Sequence, residues 1–294
     1  MEEIRKMTII RGANVVTEHG VLEGGIVRLD GGRILDVHSP ASVPDDEPME
    51  GITVVNASGC WLLPGFIDLH VHGGNGAEFI DGTREAFARI ARFHGRHGTA
   101  AMLATTVTAP LERLERIMAA AWEYQLQPEL QGAWIAGVHL EGPFLNPKRA
   151  GAQQVAHMVP PDPDWVIGIT RRFPGLLRLM TLAPELPGSL ALIRLLADRG
   201  ITPSCGHTDA GYEQTIAAAH AGLIHAAHVF NGMTGLHHRD PGVVGAILED
   251  ERIVAEVIAD GHHVHPAAIR LLARCKGPHG MVLITDAMSA AGLP

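Results

Sequence analysis

From Pro64 to the last residue, short apolar runs alternate with amphipathic stretches, and this rhythm constrains the fold more than any other feature. The runs are GFIDLHVH, TAAMLATTVT, AWIAGVHLEG, LLRLMTLAPE, ITPSCGHTD, LIHAAHVFN, RIVAEVIADG and HGMVLITDA. Between them lie the helical patterns TREAFARIARFHGRHG, PLERLERIMAAAWEYQ, SLALIRLLADRG, EQTIAAAHAG and HPAAIRLLARC. Leu190, Ile193, Leu196 and Ala197 mark an apolar stripe of helical period in the third. Successive βα units pair their strands in parallel, and eight of them predict an α/β fold, a (β/α)8 barrel. The 294 residues suit one such barrel of roughly 250 residues with a small accessory piece.

That piece is read as a small N-terminal β domain over residues 1–63, with the barrel over 64–294. Its β-type runs are MTIIRGANVVT, GGIVRLDGGRILDVH and ITVVNASG, with turns expected at Gly24-Gly25 and at Asp30-Gly31-Gly32. An acidic loop, SVPDDEPMEG, interrupts it.

The polar residues inside the barrel runs sit at their C-terminal ends, the rim on which barrels of this kind carry their active sites. His70 and His72 end the first run, two apart and so on one face of a strand. Glu141 ends the third, His207 the fifth and His228 the sixth; Asp260 and His263 follow the seventh, and Asp286 ends the eighth. Imidazole nitrogen and carboxylate oxygen are ligands for Zn, Fe(II), Mn or Co. Glu141, His207 and His228 form one candidate set, and His70, His72 and Asp286 a second that Glu141 would bridge. Asp286 is also placed to shuttle a proton.

Each residue alone has an ordinary structural reading. A lone strand histidine is commonly a hydrogen-bonded core residue, and His139, His157 and His220 are read so. Glu141 fits a cap of the following turn, and His207 and Asp286 fit helix N-caps. Such separate readings at successive strand ends become improbable when multiplied together.

Composition narrows the partners. A net charge of −9 and 4% aromatics disfavour a nucleic-acid binder, although a small anion needs only local cations. Three widely spaced cysteines, Cys60, Cys205 and Cys275, suit a reducing compartment. No signal-like leader or run of about 18 apolar residues is present, so a cytoplasmic protein with no membrane partner is expected.

The segments PGFIDLHVHGG, HLEGPFLNPKRAGA, GHTDA, AHVFNGMTGLHHRDPG, ADGHHV and LITDAM resemble the motifs of N-acetylglucosamine-6-phosphate deacetylases of the amidohydrolase superfamily. The fourth run ends TLAPE, without a lysine to be carboxylated as a bridging ligand, and Glu141 takes that place. The resemblance implies hydrolysis of the acetamide of N-acetylglucosamine 6-phosphate. It implies a divalent metal, Zn or Fe, with one ion expected and a second beside it. It makes Glu141, His207 and His228 the principal ligands and Asp286 the catalytic acid/base. Ala152, Gln153, Asn231, Gly232 and Asp260 become substrate-binding, with Arg239 and His263 on the 6-phosphate. Without the resemblance, Arg239 reads as a solvated loop charge. The resemblance also implies a homodimer with its phosphate site near the subunit boundary.

Two departures stand out. Many members of the resembled family have His where this chain has Gln153 in GAQQ; an amide can still donate a hydrogen bond but carries no charge. The chain also stops at SAAGLP, where the family continues with a helix, a covering loop and further β strands. A C-terminally truncated barrel without its final helix, beside an incomplete β-sandwich, is therefore the expectation, with instability or weak activity to follow. Two other readings remain: a deacetylase of a related N-acetyl amino sugar or N-acyl amino acid, and a metal-binding protein of little activity.

Overall fold

The computed structural model describes residues 7–40, 51–128 and 131–294. The acidic loop SVPDDEPMEG, apart from its last glycine, lies outside them. Two compact units result, Met1–Gly65 and Phe66–Pro294.

Among the described residues of the first unit, runs of Val, Ile and Leu form five strands, β1 (Met7–Thr17), β2 (Gly20–Asp30), β3 (Arg33–His38), β4 (Ile52–Asn56) and β5 (Trp61–Leu62). They make one sheet in the order β3-β2-β1-β4, with β5 also pairing β1. The turn at Gly31-Gly32 is present, both glycines having positive φ, which lets two strands reverse tightly. The turn expected at Gly24-Gly25 is not. Those glycines lie inside β2, where pairing shifts register between Ala13↔Gly25 and Val15↔Leu22, and the reversal from β1 to β2 falls at Glu18-His19 instead. Here the paired glycines relieve a bulge rather than a turn.

In the second unit the eight runs give eight parallel strands: β6 (Phe66–Val71), then, after a two-residue hairpin of β7 (Gly73–Gly74) and β8 (Ala77–Glu78), β9 (Thr99–Thr106), β10 (Trp134–Glu141), β11 (Leu177–Leu182), β12 (Thr202–Cys205), β13 (His225–Ala226), β14 (Val254–Ile258) and β15 (Met281–Ile284). They pair in sequence order from β6 through β9 to β15. Across the seam, the Asp286 backbone N–H donates to the His70 carbonyl at 2.9 Å. The Thr285 hydroxyl donates to Asp68 at 2.5 Å, so the last strand is fastened to the first. This is an eight-stranded (β/α)8 barrel.

Helices α1 (Arg84–Arg96), α2 (Leu111–Leu126), α3 (Pro163–Arg172), α4 (Ser189–Asp198), α5 (Tyr212–His220), α6 (Gly242–Glu249) and α7 (Pro266–Lys276) connect the strands. Phe87 and Ile90 of α1, Leu114 and Met118 of α2, and Leu192, Ile193 and Leu196 of α4 are buried with Met102, Val138, Leu140 and Met180 of the strands. Each such side chain contributes about 1.5–3 kcal/mol of burial. Ala197, assigned to the α4 stripe from the sequence, faces outward, and Leu192 takes its place. Helices α3 and α6 are not among the helical patterns read from the sequence. PDWVIGITRR mixes β-branched residues with an internal glycine, while its start is set by Asp162, whose carboxylate accepts from the Trp165 N–H at 3.0 Å. GVVGAILE is buried along Gly242–Ile247 and therefore apolar all round.

Candidate metal centre and active site

The barrel interior carries unusual polarity toward the C-terminal ends of its strands. His70 on β6, His139 and Glu141 on β10, and Glu256 on β14 are almost wholly buried. His72, His207, His228 and Asp286 follow β6, β12, β13 and β15 within two residues. Three of these four, His207, His228 and Asp286, adopt positive φ (47°, 30° and 48°). Left-handed backbone is costly for side chains larger than glycine and concentrates at functional sites. Here it occurs at the point where the chain leaves the strand and the side chain must point into the barrel mouth.

Glu141 is the hub. Its Oε1 lies 2.8 Å from His228 Nε2 and 3.1 Å from His207 Nε2. The same oxygen is 3.4 Å from His70 Nε2, and Oε2 is 3.3 Å from His72 Nε2. Asp286 Oδ1 stands 3.1 Å from His72 Nε2 and 3.5 Å from His70 Nε2. Each of the four imidazoles thus turns Nε2 toward Glu141, and His70 and His72 turn it toward Asp286 as well. His207 Nδ1–H donates to the Arg149 carbonyl at 2.8 Å, which leaves the Nε2 lone pair for the centre. The glycines of RAGA and FNG shape this pocket. A Cβ on Gly232 would meet His207 Nδ1 at 3.1 Å, and one on Gly151 would meet its Cε1 at 3.3 Å, so only glycine lets both loops close on that ring.

Burial pushes Glu141 upward, but the charges of His70 and His207 overturn it and hold the carboxyl well below its usual range. Burial likewise opposes charge on His72, yet its bonds to Asp286 and Glu141 raise it to about 9. Against its own burial, Asp286 is held to about 2 by the His72 bond and the His70 charge. Electrostatics that favour a proton on these rings also favour a divalent cation among them. The donors form overlapping groups fit for a metal ion: Glu141, His207 and His228; His70, His72 and Glu141; His70, His228 and Asp286. Borderline N and O donors of this kind suit Zn or Fe(II).

Gln153 joins the hub. Its Oε1 accepts from the Thr108 backbone N–H at 2.7 Å, which fixes the amide orientation, and its Nε2 donates to Glu141 Oε2 at 2.5 Å. Asn231 and Gly232 lie beside the His207 and His228 loops: the Asn231 N–H donates to the His228 carbonyl at 2.9 Å, and Gly232 accepts from the Thr208 N–H at 3.0 Å. Ala152, Asp260, His263 and Arg239 are exposed. Asp260 accepts from His263 Nδ1 at 2.7 Å, and Arg239 lies 2.7 Å from His238 Nε2. Among the described residues neither pair bonds to the hub, and no hydrogen bond or ion pair joins Arg239 to His263.

Among the described residues, His207 and Asp286 cap no helix and Glu141 caps no turn. His139 is a core residue, 2.8 Å from Thr181 Oγ1. Sequence reading gave no role to Glu256, whose Oε2 accepts from His70 Nδ1–H at 2.9 Å. Burial raises its pKa, and the charges of His70 and His225 bring it back below normal. Asp68, which fastens Thr285, was missed as well. Both are carboxylates set in apolar strands, the same signal that marked Glu141.

Fold and donor set together define a barrel protein whose C-terminal mouth is fit for divalent metal. The profile of the Amidohydrolase family matches residues 61–292. The chain belongs to this family. It is 38% identical over 292 residues to the N-acetylglucosamine-6-phosphate deacetylase of Bacillus subtilis (strain 168), an alignment covering 97% of this chain and 72% of the relative. It is also 38% identical over 289 residues to the N-acetylgalactosamine-6-phosphate deacetylase of Escherichia coli O157:H7, covering 97% and 73%. The crystal structure of the Mycobacterium smegmatis N-acetyl-D-glucosamine-6-phosphate deacetylase superposes with a TM-score of 0.87 at 35% identity, over 98% of this chain and 73% of that one. Among the described residues no helix is long and apolar enough to cross a membrane.

Proposed function

We propose that the chain hydrolyses the acetamide of N-acetylglucosamine 6-phosphate, giving glucosamine 6-phosphate and acetate. The observation that carries this reading is the convergence of four imidazoles on Glu141 with Asp286 beside them, in a chain whose relatives bear that activity in their names. Glu141, His207 and His228 would hold one ion, Zn or Fe, and His70 and His72 with Asp286 a second. The chemistry such an ion supplies when bound is polarisation of an amide carbonyl and acidification of water from 15.7 toward about 7.

The chain's own residues do the rest. Asp286, ionised at neutral pH, takes a proton from the attacking water and returns it to the amide nitrogen as the C–N bond breaks. The new C–O bond becomes part of acetic acid, which ionises to acetate by releasing the second water proton to solvent, and the amine leaves neutral. Gln153 keeps Glu141 oriented through one amide hydrogen, and the other remains for the acetyl carbonyl or a sugar hydroxyl. Ala152, Asn231, Gly232 and Asp260 would line the sugar. Arg239 and His263, exposed on the loops after β13 and β14, would meet the 6-phosphate; an arginine fork matches its geometry. A cytoplasmic homodimer fits this role.

The Escherichia coli relative favours a second reading, the galactosamine epimer as substrate. Acetate release from both sugar phosphates and from unphosphorylated N-acetylglucosamine separates the cases. The glucosamine phosphate should have the highest kcat/KM. A higher value for the galactosamine phosphate selects the second reading, and no release from either phosphate refutes both.

A further inference from the structure

Glu256 is a buried carboxylate at the barrel's polar level that no part of the proposed chemistry uses. It sits on β14, is wholly buried, and lies between valines and alanines in the run VAEVI. One of its oxygens serves two donors, one on β6 and one in the loop after β13. Oε2 accepts from His70 Nδ1–H at 2.9 Å and from the backbone N–H of His228 at 3.2 Å. The other oxygen, Oε1, is buried without a hydrogen-bond partner, 3.7 Å from His225 Nε2. No lysine or arginine bonds to Glu256 among the described residues.

A buried carboxylate with two N–H donors and no fixed cation is expensive unless positive charge lies close by. Its path to such charge runs through His70. Nδ1 of that ring faces Glu256, while Nε2 faces Glu141 and Asp286 at 3.4 and 3.5 Å. With the Nδ1 proton committed to Glu256, His70 presents a bare lone pair to the centre, made more basic by the carboxylate behind it.

Resting on the reading that His70 and His72 bind an ion, we infer that Glu256 is the positioning residue that makes His70 a strong metal ligand. It acts through the Nδ1 hydrogen bond. Its bond to the His228 N–H holds that loop's backbone without touching the His228 ring, whose Nε2 faces Glu141. Glu256 should therefore govern the ion of the His70 group and leave the Glu141–His207–His228 ion nearly untouched.

The test is metal affinity, read by elemental analysis and competitive chelator titration with zinc on the full chain. Wild type should hold two ions. Glu256→Gln, of the same shape but uncharged, should weaken one of them about 10- to 100-fold and the other less than threefold. In a His70→Ala background, which removes the ring, Glu256→Gln should no longer change the affinity of the remaining ion. If Glu256→Gln does not fold, Glu256→Asp serves; it keeps the charge but withdraws it by one methylene, and should also weaken the ion of the His70 group selectively. Two ions at wild-type affinity in the variant overturn the inference alone, as does equal weakening of both ions or an undiminished effect in the His70→Ala background. A wild-type chain that binds no zinc overturns the metal reading, and this inference with it.

Discussion

Asp286 is tied to His70 twice. Its backbone N–H donates to the His70 carbonyl oxygen at 2.9 Å, and its Oδ1 lies 3.5 Å from the Nε2 of the same ring. The first contact belongs to the barrel seam and the second to the site, so closing the barrel also sets where the proton-transfer group stands relative to a ligand from the first strand.

That relationship separates charge from position. Asp286→Asn keeps the backbone bond and nearly the same shape but removes the base. Metal content should stay at the wild-type value for the Glu141 group, while kcat falls by about two to four orders of magnitude. Turnover within a few-fold of wild type, measured by acetate release, would show that another group moves the proton.

How far the sequence discloses such a site depends on where each residue stands. Glu141 and the His70/His72 pair are legible because polar groups at the ends of apolar runs contradict their surroundings. Glu256 and Asp68 carry the same contradiction but lie within their runs. Their partners are remote: His70 is 186 positions from Glu256, and Thr285 is 217 from Asp68. Only the closed barrel brings them together. The eight strands are legible from apolar runs alone, whereas α6, buried on every side, offers no period to read. The Gly24-Gly25 pair misleads because glycine relieves a bulge as readily as it makes a turn. Positive φ at His207, His228 and Asp286 has no sequence signal, since none of the three is glycine.

Arg239 offers a test of substrate recognition. Its guanidinium is exposed, with its nearest bond to the neighbouring His238, and is free to turn toward an incoming phosphate. Losing a charge-assisted contact costs about 1.5–3 kcal/mol. Arg239→Ala should therefore lower kcat/KM for the phosphorylated sugar by roughly 10- to 150-fold and leave the unphosphorylated sugar almost unchanged. Equal losses on both substrates would remove Arg239 from the phosphate site.

The packing of β12 can be checked without any substrate. Cys205 is fully buried on that strand, and burial pushes its thiol up to about 12, whereas Cys60 and Cys275 are exposed. A thiolate-specific reagent at pH 8 should modify Cys60 and Cys275 in the native chain and reach Cys205 only after denaturation. Rapid native labelling of Cys205 would mean that the strand does not sit in the barrel as described.

The central claim is that the imidazoles around Glu141 work through a divalent ion. The direct measurement is acetate release from N-acetylglucosamine 6-phosphate after chelation and then during stepwise return of zinc or ferrous ion, with bound metal counted in the same samples. The rate should fall to background when the metal is stripped and should recover in proportion to the metal bound. A chain that releases acetate at an unchanged rate with no metal bound would contradict it.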